Sequence, residues 1–151
     1  MIGESRHVDS RRVAWLAPLT IACSVVAVLA VREVAIRVVH PPPGFLPLTP
    51  FPPIIDTFLG CVGAILVFAA MVDSPDSVRR YRRVAAGVLV LSFIPDVLLA
   101  SSQDMGGGWP EAFFLMIMHV VVWAICVTLL PSLSMTSDLE NTEPDHPLSI
   151  L

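Results

Sequence analysis

The chain has 151 residues, a formal charge of −4, 55% hydrophobic and only 15% charged residues, and a mean hydropathy of +0.77. Soluble domains carry about 25% charged residues, and the apolar residues here fall in long unbroken runs rather than at the spacing of a water-facing stripe. An ordinary soluble domain is therefore excluded, lipid is the fitting solvent, and no basic face exists for binding nucleic acid.

All nine basic residues are arginine and the apolar runs are rich in Ala and Val, a composition that points to a bacterial chain from a GC-rich genome. Residues 1–12 form a short N-terminal segment containing Arg6, Arg11 and Arg12. Four runs follow that are long enough to cross about 30 Å of hydrocarbon, which takes about 20 helical residues. They cover 13–31, 54–72, 84–102 and 112–130, so the sequence predicts an all-α, transmembrane four-helix bundle over residues 13–131. Residues 132–151 carry Asp138, Glu140, Glu143 and Asp145 with few large apolar residues and are expected to be a disordered acidic tail.

Arg11-Arg12 ahead of an apolar run also fits a cleaved signal peptide, and Ala22-Cys23 a lipoprotein site. The run is long for either, and the first helix is expected to be retained. Beyond it, Arg32 to Arg37 keeps helical character, with Glu33 and Arg37 spaced as an i, i+4 pair, until His40-Pro41-Pro42-Pro43. The segment 41–53 holds seven prolines, which predicts an extended, stiff strap. Its Phe45, Leu46, Leu48 and Phe51 are suited to lying on the membrane interface.

In the second span Gly60, Gly63 and Ala64 form a small-residue face suited to close helix contact, within the bundle or in a homo-oligomer. Ser74-Pro75-Asp76 reads as an N-cap, a first-turn proline and a dipole-matched acid. Arg79, Arg80, Arg82 and Arg83 follow. Because arginine is retained on the cytoplasmic side, both termini and this link are expected inside, with links 32–53 and 103–111 outside. Trp15 and Trp109 stand at opposite span boundaries, where indole rings favour the interface. Pro110-Glu111 marks the start of the fourth helix and Pro131 its end.

An acid within a span costs about 2.5 kcal/mol or more unless neutral, paired or hydrated, which singles out Asp96, directly after the helix-perturbing Pro95. Ser92 one turn back and Gln103 two turns on share its face. His119 in the fourth span lies about 10 Å below the strap-side boundary and Asp96 about 9 Å. Consecutive helices on a short link are usually neighbours, so an intramembrane hydrogen bond between Asp96 and His119 is open. Such a pair either locks two helices or exchanges protons and binds cations. Met116, Trp123 and Cys126 share the face of His119.

At the strap-side boundary Arg32, Glu33 and Asp56, with Asp104 and Glu111, are explained mostly by capping and snorkelling. Cys23, Cys61 and Cys126 form no C-x-x-C pair, and haem would need a second axial ligand for which only His40 is available. No cofactor, metal site or enzymatic activity is expected.

The four spans, the arginine-rich link, Ser92-Phe93-Ile94-Pro95-Asp96 and Leu115-Met116-Ile117-Met118-His119-Val120-Val121 together resemble a group of small bacterial integral membrane proteins known as a domain of unknown function. The resemblance covers residues 11–131. It implies the four-helix fold and brings no activity with it. The expected role is that of a small inner-membrane protein acting through packing, assembly or modulation of a membrane partner. The alternative is a proton- or cation-coupled transporter or channel built on Asp96 and His119.

Overall fold

The structure is a computed structural model that describes residues 10–71, 76–102 and 108–135. Among these residues every regular element is helical. The elements are α1 (Ser10–Val39), a short 3-10 turn at Leu46–Leu48, α2 (Phe51–Met71), α3 (Ser77–Ser102) and α4 (Trp109–Met135). All four α-helices are long and apolar enough to cross a membrane, so the chain is a multi-pass four-helix membrane bundle.

Each helix is longer than its predicted span. α1 overshoots as expected, running through Arg32–Arg37 to Val39, where His40 takes a left-handed conformation (φ 51°) and donates its backbone N–H to the Ile36 carbonyl. That closing turn, followed by Pro41, is a C-terminal stop. α4 passes straight through Pro131 to Met135; proline so near the end of a helix disrupts only the last turns. Glu33 pairs with its neighbour Arg32 at 2.7 Å rather than with Arg37. α3 starts at Ser77 with the Asp76 carbonyl accepting its first bond, from Arg80. Asp76 therefore occupies the capping position itself (φ 62°), and Ser74 and Pro75 lie outside the described residues. So do Gln103, Asp104 and the acidic tail from 136 onward.

The strap is not uniformly extended. Gly44 adopts φ 84°, Phe45 donates to the Pro42 carbonyl, and the 3-10 turn follows before Pro52 and Pro53 enter the first turn of α2. Phe45 and Leu48 are buried in the bundle, whereas Leu46 and Phe51 are exposed. The strap is thus a lid with two apolar pegs. Arg32 fastens it, because its Nε donates to the Leu48 carbonyl at 2.7 Å while its Nη1 binds Glu33. A charge-assisted hydrogen bond contributes about 1.5–3 kcal/mol. Arg32→Ala is therefore expected to raise proteinase K cutting within residues 41–50 about tenfold or more, with the span fragments otherwise unchanged.

Buried positions on α1 recur at Thr20, Ser24, Val28 and Ala35, one side of a helix at i, i+4 spacing. The small side chains let α4 approach closely. α1 packs most closely on α4 and on α2, and α3 on α4, whereas α2 and α3 touch little. Two core clusters result. One, toward the chain termini, joins Cys61, Phe68, Tyr81, Cys126 and Leu130; the other, under the strap, joins Val28, Ala35, Phe45, Leu48 and Met118.

Tyr81 is 1% exposed and packs edge-on against Phe68 with ring centroids 5.2 Å apart, yet its hydroxyl has no hydrogen-bond partner among the described residues. A buried unsatisfied polar group costs about 1–3 kcal/mol. Tyr81→Phe keeps the ring contact and is expected to raise the thermal unfolding midpoint in detergent.

Candidate functional site

α3 runs unbroken through Pro95 and turns Asp96 and Ala100 inward, while Ile94, Val97 and Leu98 face outward. From α4, His119 reaches the same level. Its Nε2 lies 3.4 Å from Asp96 Oδ2, so the depth match read from the sequence corresponds to a real contact. The approach is a close polar contact that falls short of a hydrogen bond, because Asp96 Oδ2 is buried and has no hydrogen-bond partner among the described residues. The pair is therefore not a saturated lock between α3 and α4: one carboxylate oxygen retains its accepting capacity.

The expected supporting face is present only in part. Ser92 is half-buried, and its hydroxyl donates to the Leu89 carbonyl of its own helix at 2.7 Å rather than to Asp96. Gln103 lies outside the described residues. Phe93, also on α3, makes an edge contact with His119, ring centroids 6.5 Å apart.

Where α2 and α3 stand apart, they leave a cleft of about 860 Å³, and both Asp96 and His119 line it. Its volume falls within the range of about 300–1,000 Å³ usual for ligand sites. The remaining wall is mainly apolar, with Gly60 and Gly63 on α2, Val88 on α3 and Val122 on α4. A side-chain carbon built on Gly60 or Gly63 would meet nothing within 4 Å. Gly60 and Gly63 are therefore not spent on contact within the bundle and form a wall of the cleft, whereas Ala64 packs against the cluster around Cys61 and Tyr81.

Asp56 is exposed at the strap end of α2 and also lines the cleft. The other boundary charges behave as structural groups. Arg32 and Glu33 fasten the strap, and Glu111 is buried and accepts the Gly108 backbone N–H at 2.8 Å, half of a capping box at the start of α4. Of the residues that share the face of His119, Trp123 and Cys126 line the cleft with it, whereas Met116 does not and Met118 does. His40 is exposed at the end of α1 and is no part of the cleft.

Two features escaped the sequence reading. Tyr81 lies within the cleft lining, and its place was hidden by the flanking arginines, although 81, 85, 88, 92 and 96 follow one helical face. Cys61 and Cys126, 65 residues apart, bring their sulfurs to 3.9 Å; nothing in their local spacing indicated this. Among the described residues no group of three or more His, Cys, Asp and Glu side chains is placed to hold a metal ion.

No family model, curated protein or solved structure matches the chain. The fold and this site define a class only, a small multi-pass helical membrane protein with an acid–imidazole pair in a lateral cleft.

Proposed function

We propose that the chain is a multi-pass protein of a bacterial inner membrane, with both termini cytoplasmic, that handles protons or cations through Asp96 and His119. Its orientation is supported by arginine at 79, 80, 82 and 83 and before the first span. The observation that carries the functional reading is the 3.4 Å approach of His119 to an Asp96 oxygen that is buried and otherwise unpartnered. A carboxylate kept within a span at a cost of about 2.5 kcal/mol or more, but not saturated by its partner, is organised for exchange more than for holding helices together. Imidazole is suited to pass the proton on near neutral pH.

The test is a pH step across proteoliposomes containing the full chain in potassium medium, read by an internal pH dye. Wild-type protein is expected to speed equilibration over protein-free vesicles, and equal rates would contradict the proposal. A second reading, a subunit that acts by packing against a membrane partner, is favoured by one observation, the uncovered Gly60 and Gly63. A stoichiometric protein copurifying in mild detergent, and lost in Gly63→Leu, would support it.

A further inference from the structure

We propose that the cleft between α2 and α3 is a binding site for a lipophilic organic cation, which enters sideways from the bilayer and competes with a proton for Asp96. The inference rests on the proton- or cation-handling reading of the Asp96–His119 pair and names its substrate class.

Charge complementarity carries the argument. Asp56 and Asp96 both line the cleft, and among the described residues no arginine does. The wall thus offers two carboxylates, an imidazole and no fixed positive charge, in surroundings where a lone charge is strongly disfavoured. A cation resolves that imbalance, whereas an anion or a fatty-acid carboxylate worsens it. The absence of a three-ligand cluster among the described residues disfavours a bare metal ion, which would need several oxygen or nitrogen ligands to replace its water. An organic cation sheds little hydration and matches the apolar remainder of the wall. Trp123, one turn from His119, lines the same cleft, and an indole beside a desolvated cation adds cation–π attraction.

The opening is to the side. α2 and α3 touch little, and Leu59 on α2 and Val88 on α3 line the cleft while also being well exposed at the surface of the bundle. A membrane-dissolved ligand therefore reaches Asp96 without crossing the strap. Asp96 faces His119 from α4, Asp56 of α2 lines the same cleft, and among the described residues of α1 only Val28 does. When the cation binds, the one proton held between Asp96 and His119 leaves to water. One positive charge replaces another, and binding weakens as pH falls.

The test is equilibrium binding of radiolabelled tetraphenylphosphonium to the full chain in lipid nanodiscs, beside the neutral triphenylphosphine oxide. Wild-type protein is expected to bind the phosphonium saturably with release of a proton. Asp96→Asn is expected to weaken binding at least about tenfold. Gly63→Trp should do the same by filling the cleft, since its first side-chain carbon meets no neighbour. Equal binding of the neutral compound, or undiminished binding to Asp96→Asn, would overturn the proposal and leave a plain apolar lipid groove. A second copy seated in the cleft, seen as a dimer that Gly63→Trp dissociates, would also overturn it. Absent binding alongside Asp96-dependent proton movement in proteoliposomes would remove the organic cation but keep the proton-handling reading; absence of both would remove both.

Discussion

Asp96→Asn is expected to lower protein-dependent proton movement on the order of a hundredfold, the scale set by removing a proton-transferring side chain, while leaving the fold intact or slightly more stable. The two halves of this expectation come from the same observation. Asp96 is 7% exposed and one of its oxygens has no hydrogen-bond partner among the described residues, so a neutral, nearly isosteric amide removes the cost of an acid within a span without opening a cavity. His119→Ala removes the partner but leaves the acid, and a smaller loss of about tenfold is expected. A pair that merely locked α3 to α4 would give the opposite pattern: both variants would lower the unfolding temperature, and neither would act on flux except through loss of folded protein. Flux and unfolding temperature measured on the same preparations separate these cases.

Ala35→Leu is expected to cost about 1–3 kcal/mol or more, the largest stability loss among conservative apolar changes in α1. Ala35 is completely buried, in the cluster that also holds Val28, Phe45, Leu48 and Met118. Added carbons have no void to enter and must push against the strap or α4, because packed interiors leave little room. Val34, one residue away, is 52% exposed on the outer side of the helix, so Val34→Leu is expected to be neutral. Thermal unfolding of the two variants in one detergent checks the contrast, and proteolysis within 41–50 should rise only for Ala35→Leu, as the strap lifts.

Much of this architecture was legible because the bilayer imposes length and composition on each span. The four helices, the overshoot of α1 and the Pro110-Glu111 start of α4 all follow from local residue chemistry. The Asp96–His119 contact was reachable by counting rise per residue along two consecutive helices, because a membrane sets a common origin for depth. What could not be read was lateral distance. Gly60, Gly63 and Ala64 promise close approach, yet α2 stands away from α3 at Gly60 and Gly63, and the same residues line a cleft. The strap shows the same limit: the apolar character of Phe45, Leu46, Leu48 and Phe51 was plain, but which of them point into the bundle depends on the turn at Gly44 and the 3-10 turn after it. Proline count excluded a long helix there but pointed to a uniformly extended strap, which the turns at Gly44 and Leu46–Leu48 break. Tyr81 was obscured for a related reason, since four arginines around it draw the eye to a charged link while its ring follows the inward face of α3.

The account stands on α3 and α4 presenting Asp96 and His119 to each other inside the cleft, and solid-state NMR on the protein in lipid bilayers tests this directly. With 13C-labelled aspartate and 15N-labelled histidine, recoupling between the Asp96 carboxyl carbon and His119 Nε2 is predicted to give a strong cross-peak, matching the 3.4 Å nitrogen–oxygen approach. That cross-peak should vanish in Asp96→Ala. No transfer in the wild-type protein, in an otherwise well-resolved spectrum, would mean that the two helices pack in a different register, and it would contradict the account at its root.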